Sequence, residues 1–294
     1  MKPAPFEYEV PSSLEEAVDT LARHGDAAKV LAGGQSLVPM LNMRLVRPRV
    51  LVSLRRVPGL DHVAVEDGHT RIGSMARQRA VEEHPAVREV CPLLVEALGL
   101  VAHPTIRNQG TIGGSVAHAD PAAELPGVLV ALDGTILLVS RRGRRTVPAS
   151  DFFRGSMTTA AEPDELIAEL AFHRVGRPGV ASGWAVEEVS RRHGDFALAG
   201  VVVALAADSD RHIVDARIVV FGVEDRPTRR SAAELAVRGT RGEPGAIAEA
   251  AVLAVQDIRP HEDVHASARF RAHLVGALVP RALERAYRRL LGNG

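Results

Sequence analysis

Lysine is nearly missing from this 294-residue chain: only Lys2 and Lys29 occur, and arginine supplies the rest of the positive charge. Lys+Arg and Asp+Glu stand at 36 each, so the formal net charge is zero. That balance lacks the basic field of a nucleic-acid binder. There is one cysteine, Cys91. A single thiol excludes an internal disulfide, a cysteine-ligated iron–sulfur cluster and a cysteine-rich zinc site. We read Cys91 as a small buried side chain. Aromatic residues are only 3%, which speaks against a pocket walled by rings. The 12 histidines are scattered and form no HExxH pattern, so no metal site is expected. No apolar run reaches the roughly 18 residues of a membrane span. The longest, Ala197 to Ala207, has strand length. The start, "MKPAPFEYEVP", lacks the apolar core of a signal peptide. The expectation is a cytoplasmic protein with no transmembrane segment.

What is present is a packed α+β pattern, with 46% hydrophobic residues. Over residues 1–55, "FEYEV", "AKVL" and "RVLVSL" (Arg49–Leu54) read as strands around one helix. That helix opens with Ser13 and Glu16, a capping-box spacing, and carries Leu14, Ala17, Val18 and Leu21 on one stripe before Gly25. Residues 56–176 begin with a hairpin turning at Asp67-Gly68. Helices over 76–84, 86–98 and Pro121–Leu132 follow. Next come two strands flanking "SRRGRRT" and a strand over Asp164–Phe172. The arginine-rich turn reads as a solvated hairpin tip, with docking of an acidic partner as the alternative. A boundary is expected at Val175–Gly179. Residues 177–294 then read as three apolar strands followed by helices near 231–238, 245–256 and 267–291, an α+β order. The last helix is expected to bury Phe270, Leu274, Ala277, Leu278, Leu283 and Tyr287.

Two glycine-rich stretches carry the chemistry. "VLAGGQSLVPMLNMRL" runs from a strand through Gly33-Gly34 into a helix-like segment. Bare backbone N–H groups at such a junction suit an anion. No Gly-Lys-Ser/Thr follows, and the G-x-G-x-x-G fingerprint is absent. A tight turn made for packing is the alternative reading. "NQGTIGGSVAHADP" adds Gly110, Gly113 and Gly114 with Thr111 and Ser115. Two such loops with hydroxyls suit a diphosphate gripped from two sides.

At these residues the chain resembles a family. "AGGQSLVPMLNMRLVRP", "TIRNQGTIGGSVAHADPAAELP", "RRHGDFALAG" and "HASARFRAHLVGALVPRAL" resemble, in order, the FAD-binding medium subunit of molybdenum hydroxylases, of the carbon monoxide and xanthine dehydrogenase types. The resemblance implies a two-part PCMH-type FAD-binding domain (1–55 and 56–176) and a C-terminal α+β domain with a three-stranded antiparallel sheet. It implies that Ala32, Gly33, Gly34, Gln35, Ser36 and Leu37 wrap the FAD diphosphate, with Thr111, Gly114 and Ser115 on the second loop. Val30, Leu31, Val101 and Ala102 would lie near the flavin or its linker. Asp120 and Glu124 would hold ribose or adenosine hydroxyls, and Leu166 and Ile167 would pack by the adenine. Asp195 would be a polar anchor and Phe196 the aromatic beside the isoalloxazine. Several relatives have Tyr at the position of Phe196, and some carry a lysine close to Glu187, which is acidic here. Gln35 cannot form a histidyl–flavin bond, so noncovalent FAD is expected. By the same resemblance, molybdopterin sits on a large partner subunit and [2Fe-2S] clusters on a small one, in a dimer of heterotrimers. Electrons would pass from the clusters to this FAD and on to NAD⁺, quinone or O₂. A stand-alone FAD-dependent oxidoreductase on the same fold is the alternative.

Overall fold

The computed structural model describes residues 2–66, 68–176 and 180–292. Asp67 of the expected hairpin turn and Arg177–Gly179 of the expected boundary lie outside the described residues. The first sheet contains β1 (Glu7–Glu9), β2 (Ala28–Leu31) and β3 (Val50–Ser53), all parallel, in the order β1-β3-β2. Parallel neighbours need crossover connections. Here α1 (Leu14–His24) follows β1, and α2 (Leu37–Asn42) lies between β2 and β3. The first glycine loop is the turn from β2 into α2. Ser13 caps α1, accepting from the Glu16 N–H at 3.1 Å. The reciprocal half of the capping box is displaced by one residue: the Glu16 carboxylate accepts from the Ser12 N–H at 2.7 Å.

The second sheet is antiparallel, in the order β4 (Val63–Glu66), β5 (His69–Gly73), β10 (Leu166–His173), β6 (Thr135–Ser140) and β7 (Gly143–Pro148). Between β5 and β6 run α3 (Gln78–Glu83), α4 (Pro85–Val90), α5 (Pro92–Leu100), α6 (Pro104–Arg107), α7 (Ile112–His118) and α8 (Glu124–Ala131). The helix expected over 86–98 is two helices. Pro92 has no N–H and disfavours helical geometry at the residue before it, and Cys91 leaves the helix with φ −131° and ψ 56°. After β7 come α9 (Ala149–Phe152) and a small pair, β8 (Phe153–Gly155) and β9 (Thr158–Thr159).

The third sheet has four strands, not the expected three: β11 (Ala181–Ser190), β12 (Ala197–Ala207), β13 (Ile213–Phe221) and β14 (Thr228–Arg229). Two residues of β14 are too few to show a period of two; pairing with Val219 and Val220 makes them a strand. All of β12 is buried. Its Val202 and Ala204 join the core built on α5 and α8, while Val201, Val203 and Leu205 join the core of the C-terminal helices. Cover on both faces explains a continuous rather than alternating apolar run. α10 (Ser231–Val237), α11 (Pro244–Val255) and α12 (Ala268–Leu290) complete the chain. The buried stripe of α12 runs through Arg271, Leu274, Val275, Leu278, Ala282 and Ala286. Of the residues expected inside, Leu274, Leu278 and Leu283 are buried and Tyr287 is half-buried, whereas Phe270 is 45% exposed, Ala277 is exposed, and the charged Arg271 is buried instead. Among the described residues no helix is long and apolar enough to cross a membrane.

Candidate functional site

β2 ends in a parallel sheet, and the residues that leave it form the floor of the site. Gly34 has φ +76°, a left-handed conformation that glycine adopts without penalty. It turns the chain so that Val38 N–H reaches the Gly34 carbonyl at 3.0 Å and α2 begins. Among the described residues, the N–H groups of Gly34, Gln35, Ser36 and Leu37 donate to no chain oxygen. Unfilled donors at a helix start are an anion-binding surface. Ser36 stands at the N-cap, makes no cap bond and is exposed, so its hydroxyl is also free. Gln35 folds back to donate to the Gly33 carbonyl at 3.0 Å.

The second glycine stretch lies directly against the first. A β-carbon on Gly33 would fall inside contact distance of the Gln109 carbonyl oxygen and 3.0 Å from Gly110 Cα. One on Gly114 would stand 3.5 Å from Ala32 Cβ. The two stretches therefore form one site, but they do not contribute equally. The Ile112 N–H donates to Ala76, Gly113 to Ser74 and Ser115 to Thr111 carbonyls. Gly114 N–H donates to the Thr111 hydroxyl oxygen at 3.0 Å, an N-cap of α7. With its amides spent internally and the buried Thr111 hydroxyl engaged as the cap, the second stretch offers the Ser115 hydroxyl and buttresses the first.

A third piece comes from the C-terminal sheet. Between β11 and β12, Gly194 (φ +77°) approaches so closely that a β-carbon there would stand 2.8 Å from the Ala102 carbonyl oxygen. The rings of His103 and His193 stack with centroids 6.5 Å apart. Ala102 and His103 thus touch the loop that carries Asp195 and Phe196, and Val101 directly precedes them. Asp195 accepts from the Phe196 N–H at 3.0 Å and pairs with Arg191 at 3.0 Å. The Phe196 N–H bond, then the neighbouring Arg191 and Arg192 charges, hold its carboxyl below the usual range. Phe196 is 66% exposed, which is a large open area for an aromatic ring.

The remaining expected residues fall in different settings. Asp120 accepts from the Ala122 N–H at 2.9 Å. Glu124 opens α8 and is buried. Leu166 and Ile167 send their side chains to two separate cores on opposite faces of β10. Val30 and Leu31 end β2, both half-buried. Glu187 faces away from this site: it pairs with Arg281 at 3.2 Å and Arg285 at 2.9 Å of α12. Its neighbour Glu188 is on the side of Glu124. Burial, and then the Glu188 charge, push the Glu124 carboxyl up to about 8; burial pushes Glu188 up to about 7. Strand alternation over β11 is the sequence signal that separates Glu188 from Glu187. The "SRRGRRT" turn is less free than a solvated tip: Arg141 pairs with Asp19, Arg142 with Asp164 and Arg145 with Glu165. Cys91 is buried, and burial pushes its thiol up to about 12.

Open amides, two free hydroxyls and a floor that side chains would fill fit a dinucleotide diphosphate. Residues 4–172 match the FAD binding domain in molybdopterin dehydrogenase, and residues 184–286 match the CO dehydrogenase flavoprotein C-terminal domain. The chain is 41% identical to the 6-hydroxypseudooxynicotine dehydrogenase complex subunit alpha of Paenarthrobacter nicotinovorans, across 98% of this chain and 97% of that one. It is 36% identical to the carbon monoxide dehydrogenase medium chain of Hydrogenophaga pseudoflava, across 98% and 99%. The solved carbon monoxide dehydrogenase of Hydrogenophaga pseudoflava superposes with a TM-score of 0.94 at 37% identity, covering 98% of this chain and 99% of that one. Quinoline 2-oxidoreductase of Pseudomonas putida 86 superposes at 0.92 and 34% identity, covering 99% and 100%. The chain belongs to the FAD-binding medium subunits of the molybdenum hydroxylases.

Proposed function

We propose that this chain is the electron-transfer subunit that carries FAD between the [2Fe-2S] clusters of a small partner and a terminal acceptor, NAD⁺, quinone or O₂. The observation that carries this reading is the run of unfilled N–H groups over Gly34–Leu37, set against the buttress of the second glycine stretch. When bound, FAD supplies the redox chemistry. The chain's own part is binding and orientation. Gly34–Leu37 amides and the Ser36 hydroxyl meet the diphosphate. Ser115 offers a hydroxyl from the other side, and Thr111 holds that stretch in shape as the cap of α7. Asp120 and Glu124 lie beyond the second stretch, where carboxyl groups suit ribose or adenosine hydroxyls. Val101, Ala102, Asp195 and Phe196 bound the flavin end, and the exposed Phe196 ring shields it from water. Gln35 leaves the cofactor noncovalent. Leu166 and Ile167 meet the adenine only through the backbone edge of β10, since their side chains are committed to cores.

A single cysteine means that clusters must come from elsewhere, so the subunit works in a heterotrimer with a molybdopterin-binding large chain, doubled in the assembly. The partner chemistry fixes the substrate. The test mixes the FAD-loaded chain anaerobically with the small subunit, its clusters reduced beforehand. Bleaching of the visible flavin band on mixing supports the reading. A band that stays oxidised although the two subunits co-elute contradicts it.

A further inference from the structure

We infer that Arg107 is a positioning residue for the flavin end of the site: from inside the FAD-binding part it fixes Val101–Ala102, and through them the Gly194–Phe196 loop of the C-terminal domain. This inference rests on the FAD-subunit reading for its consequence, though not for its geometry.

Arg107 ends α6 and is 5% exposed. Its Nε donates to Glu82 Oε2 at 2.9 Å and its Nη2 to Glu82 Oε1 at 3.2 Å. Such a planar fork holds the guanidinium in one orientation. The remaining nitrogen, Nη1, is thereby aimed at the chain and donates to the Val101 carbonyl at 2.8 Å and the Ala102 carbonyl at 3.3 Å. Ala102 needs that hold. Its φ is +44°, a left-handed conformation that crowds the β-carbon of any residue but glycine. A turn so shaped persists only where its surroundings enforce it.

The other side of the same turn receives the C-terminal domain. Gly194 seats its backbone on the Ala102 carbonyl, and His193 stacks on His103. A rotation of the Ala102 peptide would remove the surface on which Gly194 rests. Asp195 and Phe196 come next in sequence, tied to the same loop by the Asp195 N–H bond to Arg192 and the Phe196 N–H bond to Asp195. The path therefore runs by contact from Glu82 through Arg107 and Ala102 to Gly194, and from there along the chain to Asp195 and Phe196. None of these links needs the cofactor to be present. A lysine at 107 would keep the charge opposite Glu82 but could not fork to it and hold two carbonyls at once.

The experiment compares the full chain with the double variant Glu82→Gln/Arg107→Met, which leaves no buried charge unpaired, and with Arg107→Lys. Hydrogen exchange is followed on the FAD-free proteins. The bonded amides of Val101, Asp195 and Phe196 should exchange about tenfold faster or more in the double variant, with β12 amides unchanged. Arg107→Lys should fall between. On the FAD-loaded proteins, the flavin midpoint potential and visible spectrum should shift in the double variant and return part of the way in Arg107→Lys. Faster exchange at Val101 with Asp195 and Phe196 unaltered would overturn the inference, because the tie would stop at Ala102. Equal acceleration in β12 would also overturn it, by showing only general loosening. A parent chain that takes up no FAD would remove the functional reading and leave the exchange result standing.

Discussion

At Gly33 the space for a methyl group is already occupied by the backbone of Gln109 and Gly110. Gly33→Ala must push the two glycine stretches apart, at a cost of about 1–3 kcal/mol, so thermal stability and FAD affinity should both fall. Ser36 is the complementary case, because its hydroxyl is exposed and unbonded in the chain. Ser36→Ala should change stability by less than about 0.5 kcal/mol. It should weaken FAD binding roughly tenfold, the worth of one hydrogen bond to a charged group. Calorimetric titration and melting of both variants check the pair. Equal affinity in Ser36→Ala and parent would remove the hydroxyl from the diphosphate site. The acids behind the site make a pH prediction. Glu124 and Glu188 ionise at the ordinary 4.5 when unfolded but near 8 and 7 when folded. Between those limits the folded protein holds protons that the unfolded chain has lost. Their contribution is therefore intact below the ordinary value and is lost as pH rises toward the folded values, by about 1.4 kcal/mol per pH unit for each group. The melting temperature should fall across about pH 5 to 8, and Glu188→Gln should flatten that slope. A parent curve that is flat or rising there would contradict the assignment.

Among elements, α12 does most to hold the third sheet. Its buried Arg271 donates to the Leu198 carbonyl at 2.6 Å and the Gly222 carbonyl at 2.8 Å, and pairs with Asp263 at 2.8 Å. Those carbonyls lie at the start of β12 and just past β13, so one side chain clamps two neighbouring strands at the end that carries Phe196. Arg271→Met leaves both carbonyls without this donor and should cost about 3 kcal/mol or more, read from the urea midpoint. A loss below about 1 kcal/mol would mean that water replaces the guanidinium. This element also marks where sequence reading stops. Its length was legible from periodicity, as were Leu274, Leu278 and Leu283 in its buried stripe; the burial of Arg271 was not, because the carbonyls that receive it lie far away in sequence. The glycine stretches were legible because turn, helix start and hydroxyls are local in sequence. The unequal roles of the two stretches were not, since the partners that consume the second one's amides, Ser74 and Ala76, carry no mark of it. The Arg107–Glu82 brace is hidden for the same reason: its ends lie on different helices. Glu188 could have been distinguished from Glu187 by strand alternation alone.

Over the whole molecule, the third sheet is a shared wall. Val202, Ala204, Val219 and Phe221 lie in one core with Leu125, Val128 and Leu129 of α8, and the opposite face of the same sheet packs on α11 and α12. Glu96 of α5 adds polar ties, pairing with Arg285 at 3.0 Å and with Arg289 at 2.5 Å, and accepting from the Val186 N–H at 3.1 Å. The C-terminal part alone would expose the apolar face that α5 and α8 cover. A fragment of residues 177–294 should therefore associate or bind hydrophobic dye, and the full chain should unfold in one transition. Two separated transitions in the calorimeter would contradict this. The same sheet carries the loop of Gly194 and Phe196 onto Ala102 and His103. The central claim, that this site holds FAD, is tested most directly by equilibrium titration of the purified full chain with FAD, followed by flavin fluorescence beside the Gly33→Ala variant. The account predicts saturable binding at one FAD per chain in the parent and a large loss in the variant. A parent that does not saturate, or a variant that binds as the parent does, would contradict it.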